Sequence, residues 1–334
     1  MVEPVIPEPT SVTPEPTSAA ALAVARPAPA PLVGILLLDK PLGLSSNAAL
    51  QVVRRLAGGI KAGHSGSLDP LASGMLPICL GEATRLAGQL LEGRKAYRFG
   101  LTLGERSATG DAEGEIVERC AVPPLDRAAI EAVLVGFLGT QQQVPPMYSA
   151  LKRDGEPLYR LARRGVQVER AARALVIDAL QLQDHQNDRL ELSVLCSKGT
   201  YVRVLAEDIA RALGSCGRLH SLRRDYVEPF AGEPMVSLEQ LQAAARDGSG
   251  WPVLAPDRAV SHLPPLRLDA DAAAAIAHGR VLPFGALLPP GDPGPAQQRL
   301  WRLYDAQGRF LGLGASDAAG LLRAQRLFAH PVVV

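Results

Sequence analysis

The stretch GHSGSLDPLASGMLP, residues 63–77, holds a single carboxylate, Asp69, set among Gly63, Gly66 and Gly74, with Gly81 just beyond. Two readings compete for it. An aspartate in such a setting can cap a helix, or it can be a nucleophile that must meet a bulky ligand at close range. Helix formers follow a capping aspartate, whereas Gly74 and Pro77 interrupt DPLASGMLP, so the stretch reads as a loop presenting a functional carboxylate. Pro70 confines the residue before it to extended backbone and thereby sets the direction of that carboxylate. The glycines read as room for a large ligand to approach the main chain. His64 has no metal-ligating partner near it in sequence and, on that ground alone, reads as structural or surface.

Outward from this loop, periodicity and turn residues outline the elements. GILLLDKP (34–41) reads as a buried strand ended by Pro41, and SSNAALQVVRRLAGG (45–59) as a helix capped by Ser45 or Ser46 and stopped by Gly58. KAYRFGLTLG (95–104) is a strand, and LDRAAIEAVLVGFLG (125–139) a helix capped by Asp126. RALVIDALQLQ and DRLELSVLC form a hairpin turning at Asn187 and Asp188. In SKGTYVRVLAEDIARALG (197–214), Thr200 is expected to cap a helix that turns Val202, Leu205, Ile209 and Leu213 inward and places Tyr201 and Arg203 in its first turn. SLEQLQAAARDG opens with the Ser237/Gln240 capping pattern. These strands and helices interleave without a regular βαβ beat, which predicts an α+β fold with a mixed, largely antiparallel sheet. Residues 249–265 are proline-rich and read as an irregular boundary; the remainder reads as a small β-rich module with an alanine-rich helix ending at Gly279.

Composition narrows the class. The chain has 334 residues, 47% of them hydrophobic, and a formal charge of +1; it can bury a full core, and its net charge is neutral on the question of a nucleic-acid partner. Cys79, Cys120, Cys196 and Cys216 form no CxxC pair, and the histidines form no HxxxH, so neither zinc nor a disulfide framework is expected. The apolar runs AAALAVA and LVGILLL are too short to span a bilayer, and the acidic start MVEPVIPEPT lacks a basic n-region; no membrane partner is expected, and a reducing cytoplasm fits. Residues 1–31, built from Pro, Ala, Glu, Ser and Thr, read as a disordered tail. No phosphate-cradling or dinucleotide motif occurs, so no cofactor is implied.

Charge gathers in residues 141–170, which carry six Lys or Arg, Arg160 and Arg163 among them, against three Asp or Glu and interleave Tyr148 and Tyr159. Basic groups pair with phosphates and aromatic faces accept bases, so the segment is a candidate for gripping RNA; a solvated helix face is the equal alternative. Arg223 and Arg224, with Arg218 close by, form a second basic cluster that is ambiguous taken alone.

GHSGSLDPLASGMLPICLGEATR (63–85) closely resembles the signature of the bacterial tRNA pseudouridine(55) synthases, the TruB family. GILLLDKPLGLSSNAAL, KAYRFGLTLGERSATGDAEG, PPMYSALKRDGEPLYRLAR, CSKGTYVRVLAEDIARALG and LRRDYVEPF resemble the family's other blocks in the same order, and GRFLGLG its PUA-type RNA-binding module. The resemblance spans residues 32–334 and implies a pseudouridine synthase fold with a catalytic part over 32–255 and a PUA-like part over 262–334. It implies isomerisation of a T-loop uridine of tRNA without cofactor or metal, by a chain that is a monomer in this family.

By resemblance Asp69 is the nucleophile, attacking either the sugar carbon or C6 of the base. Arg203 matches the arginine that pairs with it and would keep it ionised by lowering its pKa. Tyr97 matches the tyrosine stacked on the target uracil and handling the C5 proton. Tyr201 matches a second pocket aromatic and Leu222 an apolar residue beside the nucleophile. The target must be flipped out of its stack, and His64 matches the residue that fills the vacated place. Lys40 matches the lysine of the DKP block. Where the family shows two aspartates after the tyrosine strand, this chain has Ala108 at the first and Asp111 at the second. Two alternatives stand beside this reading: a non-catalytic tRNA-binding protein or tRNA-folding chaperone, and a nucleoside or glycoside hydrolase built on Asp69.

Overall fold

The structure is a computed structural model that describes residues 32–287 and 298–332. The expected disordered tail, residues 1–31, lies outside the described residues. Gly34–Lys40 is apolar at Ile35, Leu36, Leu37 and Leu38, a pattern suited to a strand covered on both faces, and these residues are buried inside a nine-stranded sheet. The order across it is Val253–Leu254, Gly34–Lys40, Ala72–Leu80, Gly217–Val227, Lys95–Leu103, Arg189–Cys196, Arg173–Gln186 and Gly139–Gln143, with Ala62–His64 also pairing on Ala72–Leu80. Every pairing is antiparallel except Gly217–Val227 on Ala72–Leu80, where Leu222, Arg223 and Arg224 lie opposite Ala72, Ser73 and Gly74. The mixed, largely antiparallel α+β architecture follows the pattern expected.

Local chemistry sets the element ends. The helix Ser46–Leu56 is capped by Ser45, whose hydroxyl accepts from the Ala48 amide, which leaves Ser46 free for another task. Asp126 caps Arg127–Val135, and Ser237 with Gln240 completes a reciprocal capping box on Leu238–Asp247. Arg173–Gln186 and Arg189–Cys196 pair through the two-residue turn at Asn187 and Asp188, where Asn187 takes φ 54°. The helix Val202–Ala212 begins differently from the expectation. Tyr201 occupies its cap position, and the Thr200 hydroxyl donates to the Ser197 carbonyl. The helix begins one residue later than expected, so Thr200 precedes the cap position.

Residues 249–265, read as irregular, are ordered into the core. Val253–Leu254 adds an edge strand to Gly34–Lys40, and the turn Pro256–Val260 buries Ala259 and Val260. One hydrophobic cluster joins Ile35, Leu37, Met75 and Val260 to Tyr304, Phe310, Leu313 and Phe328 of the C-terminal five-stranded sheet. The cysteines also depart from expectation: Cys120 and Cys216, 96 residues apart, form a disulfide with Cα atoms 5.7 Å apart. Sequence spacing missed the pair because the fold supplies it. Gly104 donates to the Cys216 carbonyl and accepts from the Cys120 amide, which brings the two cysteines side by side. Cys79 and Cys196 remain free and buried. Among the described residues no helix is long and apolar enough to cross a membrane.

Candidate active site

Asp69 lies in the loop between Ala62–His64 and Ala72–Leu80, and several contacts fix that loop. The buried Ser46 hydroxyl takes the Leu68 amide at 2.7 Å and lies 3.1 Å from its carbonyl. The Ala72 amide donates to the Asp69 carbonyl at 3.0 Å, closing a turn with Pro70 at its second position, and the Gly43 amide donates to the Pro70 carbonyl at 2.9 Å. The carboxylate itself points at Arg203, whose Nε donates to Oδ2 at 3.0 Å. Its side chain is 44% exposed while that of Arg203 is 6% exposed, so the acid faces the cleft and the base supports it from behind.

Arg203 is held on its other side as well. Its Nη1 donates to the Thr109 carbonyl at 2.8 Å and its Nη2 to the Tyr148 carbonyl at 2.5 Å, while the Asp111 carboxylate stands 3.8 Å from Nε. Asp111 is buried, accepts from the Thr109 hydroxyl and the Glu113 amide, and lies behind Arg203 rather than against the cleft. Ala108 brings no carboxylate, so Asp111 is the acid nearest Arg203 after Asp69.

Two of the glycines make room for the protein's own Arg224. Gly66 has φ 74° and Gly74 φ 100°; a Cβ on Gly74 would overlap the Arg224 main chain, and one on Gly66 would crowd its guanidinium. Arg224 is 1% exposed and runs beneath the loop, donating from Nε to the Met75 carbonyl at 2.8 Å and from Nη2 to the Gly66 carbonyl at 2.9 Å. The second basic cluster is thus dispersed: Arg218 pairs with Glu105, Arg223 with Asp39 and Asp225, and Arg224 is interior.

A cleft of about 470 Å³ opens over Asp69. Tyr97, Tyr201, Arg203 and Leu222 line it with Asp69, as expected, and Lys95, Ser149, Arg224 and the loop Ser197–Thr200 complete the walls. Those last groups were missed as site residues. A signal for Arg224 existed, since residues two apart on a strand share a face and Leu222 was already placed in the pocket. The other expected residues stand outside the lining. Lys40 is fully buried behind the loop and donates to the Pro41 and Leu44 carbonyls at 2.8 and 2.5 Å, holding the turn that Gly43 ties to Pro70. His64 ends the short strand opposite Ile78. Arg160 and Arg163 are exposed on the helix Leu158–Arg163, with Arg163 set 5.7 Å from the Tyr159 ring centre.

Electrostatics corrects one expectation. Burial pushes the Asp69 carboxyl up from its ordinary value, and the Arg203 guanidinium, together with Lys40, pulls it only part of the way back; Asp111 pushes it further up. Arg203 thus opposes the rise without reversing it. Burial lowers Lys40 to about 8 despite the attraction of Asp69, and lowers His64, with Arg224 adding to the effect. Burial raises the Tyr97 phenol, and the largest opposing influence is Arg224. Burial also raises Tyr201. The site therefore combines a fixed, partly desolvated carboxylate, a supporting guanidinium, and two aromatic walls with an apolar side chain beside them, which suits covalent attack on a flat, ring-bearing ligand.

Comparison with known proteins gives the same architecture. The family model described as TruB family pseudouridylate synthase (N terminal domain) matches residues 54–202. The model described as tRNA pseudouridylate synthase B C-terminal domain matches 203–257, and that of pseudouridine synthase II TruB, C-terminal, matches 264–328. The chain is 47% identical to tRNA pseudouridine synthase B of Chromohalobacter salexigens over 89% of its own length and 94% of the relative's. It is 48% identical to the protein of that name from Aromatoleum aromaticum over 88% and 92%. Among solved structures, a chain of a Cbf5-Nop10-Gar1 complex superposes with a TM-score of 0.66 at 23% identity, covering 89% of this chain and 84% of that one. A chain of the archaeal box H/ACA sRNP Nop10-Cbf5 complex gives 0.64 at 23%, covering 90% and 86%. At that identity the likeness shows the fold.

Proposed function

The chain belongs to the TruB family of pseudouridylate synthases, and from that premise we propose that it isomerises uridine 55 in the T loop of tRNA to pseudouridine with Asp69 as nucleophile. The observation that carries the reading is the pairing of Asp69 with Arg203 at the floor of a cleft walled by Tyr97, Tyr201 and Leu222. A uridine flipped out of its stack enters this cleft, at a cost of a few kcal/mol. The Asp69 carboxylate attacks the nucleoside, the N1–C1′ bond breaks, the uracil turns in place, a C5–C1′ bond forms, and the bond to Asp69 breaks to restore the carboxylate. Tyr97 accepts the proton from C5, and N1 takes up one proton, so atoms and charge balance. The step is redox-neutral and calls on neither nucleotide cofactor nor metal.

Arg203 holds the carboxylate in line, and Leu222 with Tyr201 keeps the detached base from exchanging with water. Lys40 acts by holding the turn under Pro70, and Asp111 by holding Arg203. His64 fills the stack that the flipped uridine leaves. Arg160 and Arg163 grip the T arm through its phosphates. Residues 262–334 add RNA contacts as a PUA-like module to the catalytic part over 32–255. The chain acts on tRNA as a monomer in the cytoplasm.

The test is tritium release from an unmodified tRNA transcript labelled at C5 of uridine, with EDTA present, followed by mapping of the product. Release with pseudouridine at position 55 is expected, and Asp69→Asn should abolish it while leaving tRNA binding largely intact. Free uracil in place of pseudouridine would identify a hydrolase. Tight tRNA binding without release would leave a binding protein or chaperone.

A further inference from the structure

Arg224 is among the largest fully buried side chains of the described residues, and among those residues no carboxylate lies within ion-pair distance of it. Burying a charge is costly unless it is paired or fully hydrogen-bonded. Arg224 has carbonyl partners at Met75 and Gly66, which take Nε and Nη2 and aim the guanidinium along the floor of the cleft. The strand register then places it directly opposite Tyr97, between the tyrosine strand and the strand that follows the Asp69 loop. Two glycines are kept free of side chains to admit it. So much accommodation for an uncountered cation implies that the counter-charge arises elsewhere, during the reaction.

We propose that Arg224 is a positioning residue for proton removal at C5: its guanidinium stabilises the Tyr97 phenolate that accepts the proton. The proposal rests on the assignment of Tyr97 as that acceptor. Once the C5–C1′ bond has formed, C5 carries both the sugar and its original hydrogen. The phenolate oxygen takes this proton, the C5–H electron pair becomes the C5=C6 bond, and the C6=N1 pair moves onto N1, which takes a proton from water. Tyr97 then releases its proton to water. Around the phenol stand Arg224 from Gly217–Val227, Cys196 from Arg189–Cys196 and Asp69 from the loop, and Lys95, Tyr201 and Arg203 line the same cleft. Arg224 is the largest influence favouring the ionised form, which burial, Cys196 and Asp69 oppose. Lys40, His64 and Lys95 in turn feel its charge as a repulsion.

The experiment compares the full-length protein with Arg224→Gln, Arg224→Lys and Tyr97→Phe in single-turnover reactions. The substrate is a tRNA transcript with hydrogen or deuterium at C5 of uridine, followed across pH. Activity that requires a phenolate rises with pH through the phenol's titration, so removing the cation should move the rising limb to higher pH. Arg224→Gln is expected to bind tRNA normally, to lose about 100-fold or more in rate, to show the displaced limb, and to acquire a larger deuterium effect. Arg224→Lys should restore the limb. A Gln variant with the parental limb and the parental deuterium effect, whatever its rate, would make Arg224 a purely structural residue and overturn the proposal. If Arg224→Gln fails to bind tRNA, the Lys variant decides, because a displaced limb with the charge retained is equally fatal. Tyr97→Phe with undiminished loss of the C5 label would instead refute the assignment of Tyr97, a result separable from those of the Arg224 variants.

Discussion

Asp69 is a carboxylate whose neighbours disagree about its charge. Burial and Asp111 favour the protonated form, while Arg203 at 3.0 Å and Lys40 favour the ionised one. The net direction is upward, so the acid limb of turnover should lie at higher pH than that of a free aspartate, activity being lost as pH falls through the Asp69 titration. Replacing Arg203 with Met removes a lowering influence, and the limb should move higher still. A pH profile of kcat/KM checks this, with tRNA binding as the control for folding. An unmoved limb would mean that Arg203 acts on geometry alone. Gly74 tests the other residue-scale claim, that the glycines around Asp69 admit Arg224. Gly74→Ala combines φ 100° with a Cβ against the Arg224 main chain. The variant should lose about 1–3 kcal/mol of stability, or more, in denaturant unfolding, with turnover falling as the strand pair opens.

At the scale of elements, the pieces whose ends are set by local hydrogen bonding were legible in the chain. Ser237 with Gln240, Asp126, and Asn187 at a hairpin turn act within a few residues of themselves, so their consequences do not depend on the rest of the fold. Thr200 shows the limit of that logic. The helix begins one residue later, with Tyr201 at its cap position, and the Thr200 hydroxyl donates to the Ser197 carbonyl. The helix Leu158–Arg163 carries a function that belongs to this scale. Glu156 pairs with Arg164, and Arg153 donates to the Glu169 carbonyl, whereas Arg160 and Arg163 stand exposed on the helix. Arg160→Ala and Arg163→Ala should each weaken tRNA binding and reduce the dependence of log Kd on log salt by about 1. Binding isotherms at several salt concentrations decide it, and an unchanged slope removes the residue from the interface.

The whole molecule adds two things that no segment contains. Cys120 and Cys216 become neighbours across 96 residues, and the prediction is direct: denatured but unreduced protein should titrate two thiols, from Cys79 and Cys196, and four after reduction. In the folded state neither free thiol should react readily, since burial pushes Cys79 up to about 12 and Cys196 to about 11. The second is the site itself. The α+β class, the strand and helix order and the Asp69 loop could be read from sequence, because hydrophobic period, capping residues and turn residues are properties of neighbouring positions; Tyr97, Tyr201, Arg203 and Leu222 could be named there only through resemblance to a known family. What burial does to Asp69, the pairing of Cys120 with Cys216, and the threading of Arg224 beneath the loop could not. The threading of Arg224 depends on the one parallel pairing, which sets Gly217–Val227 between Ala72–Leu80 and Lys95–Leu103, and the cysteine pair on Gly104, which bonds to both cysteines. The sequence by itself determined which residues could do the chemistry. The tertiary structure decided which charges are desolvated together, because desolvation and Coulomb energy depend on distance through space and not on distance along the chain.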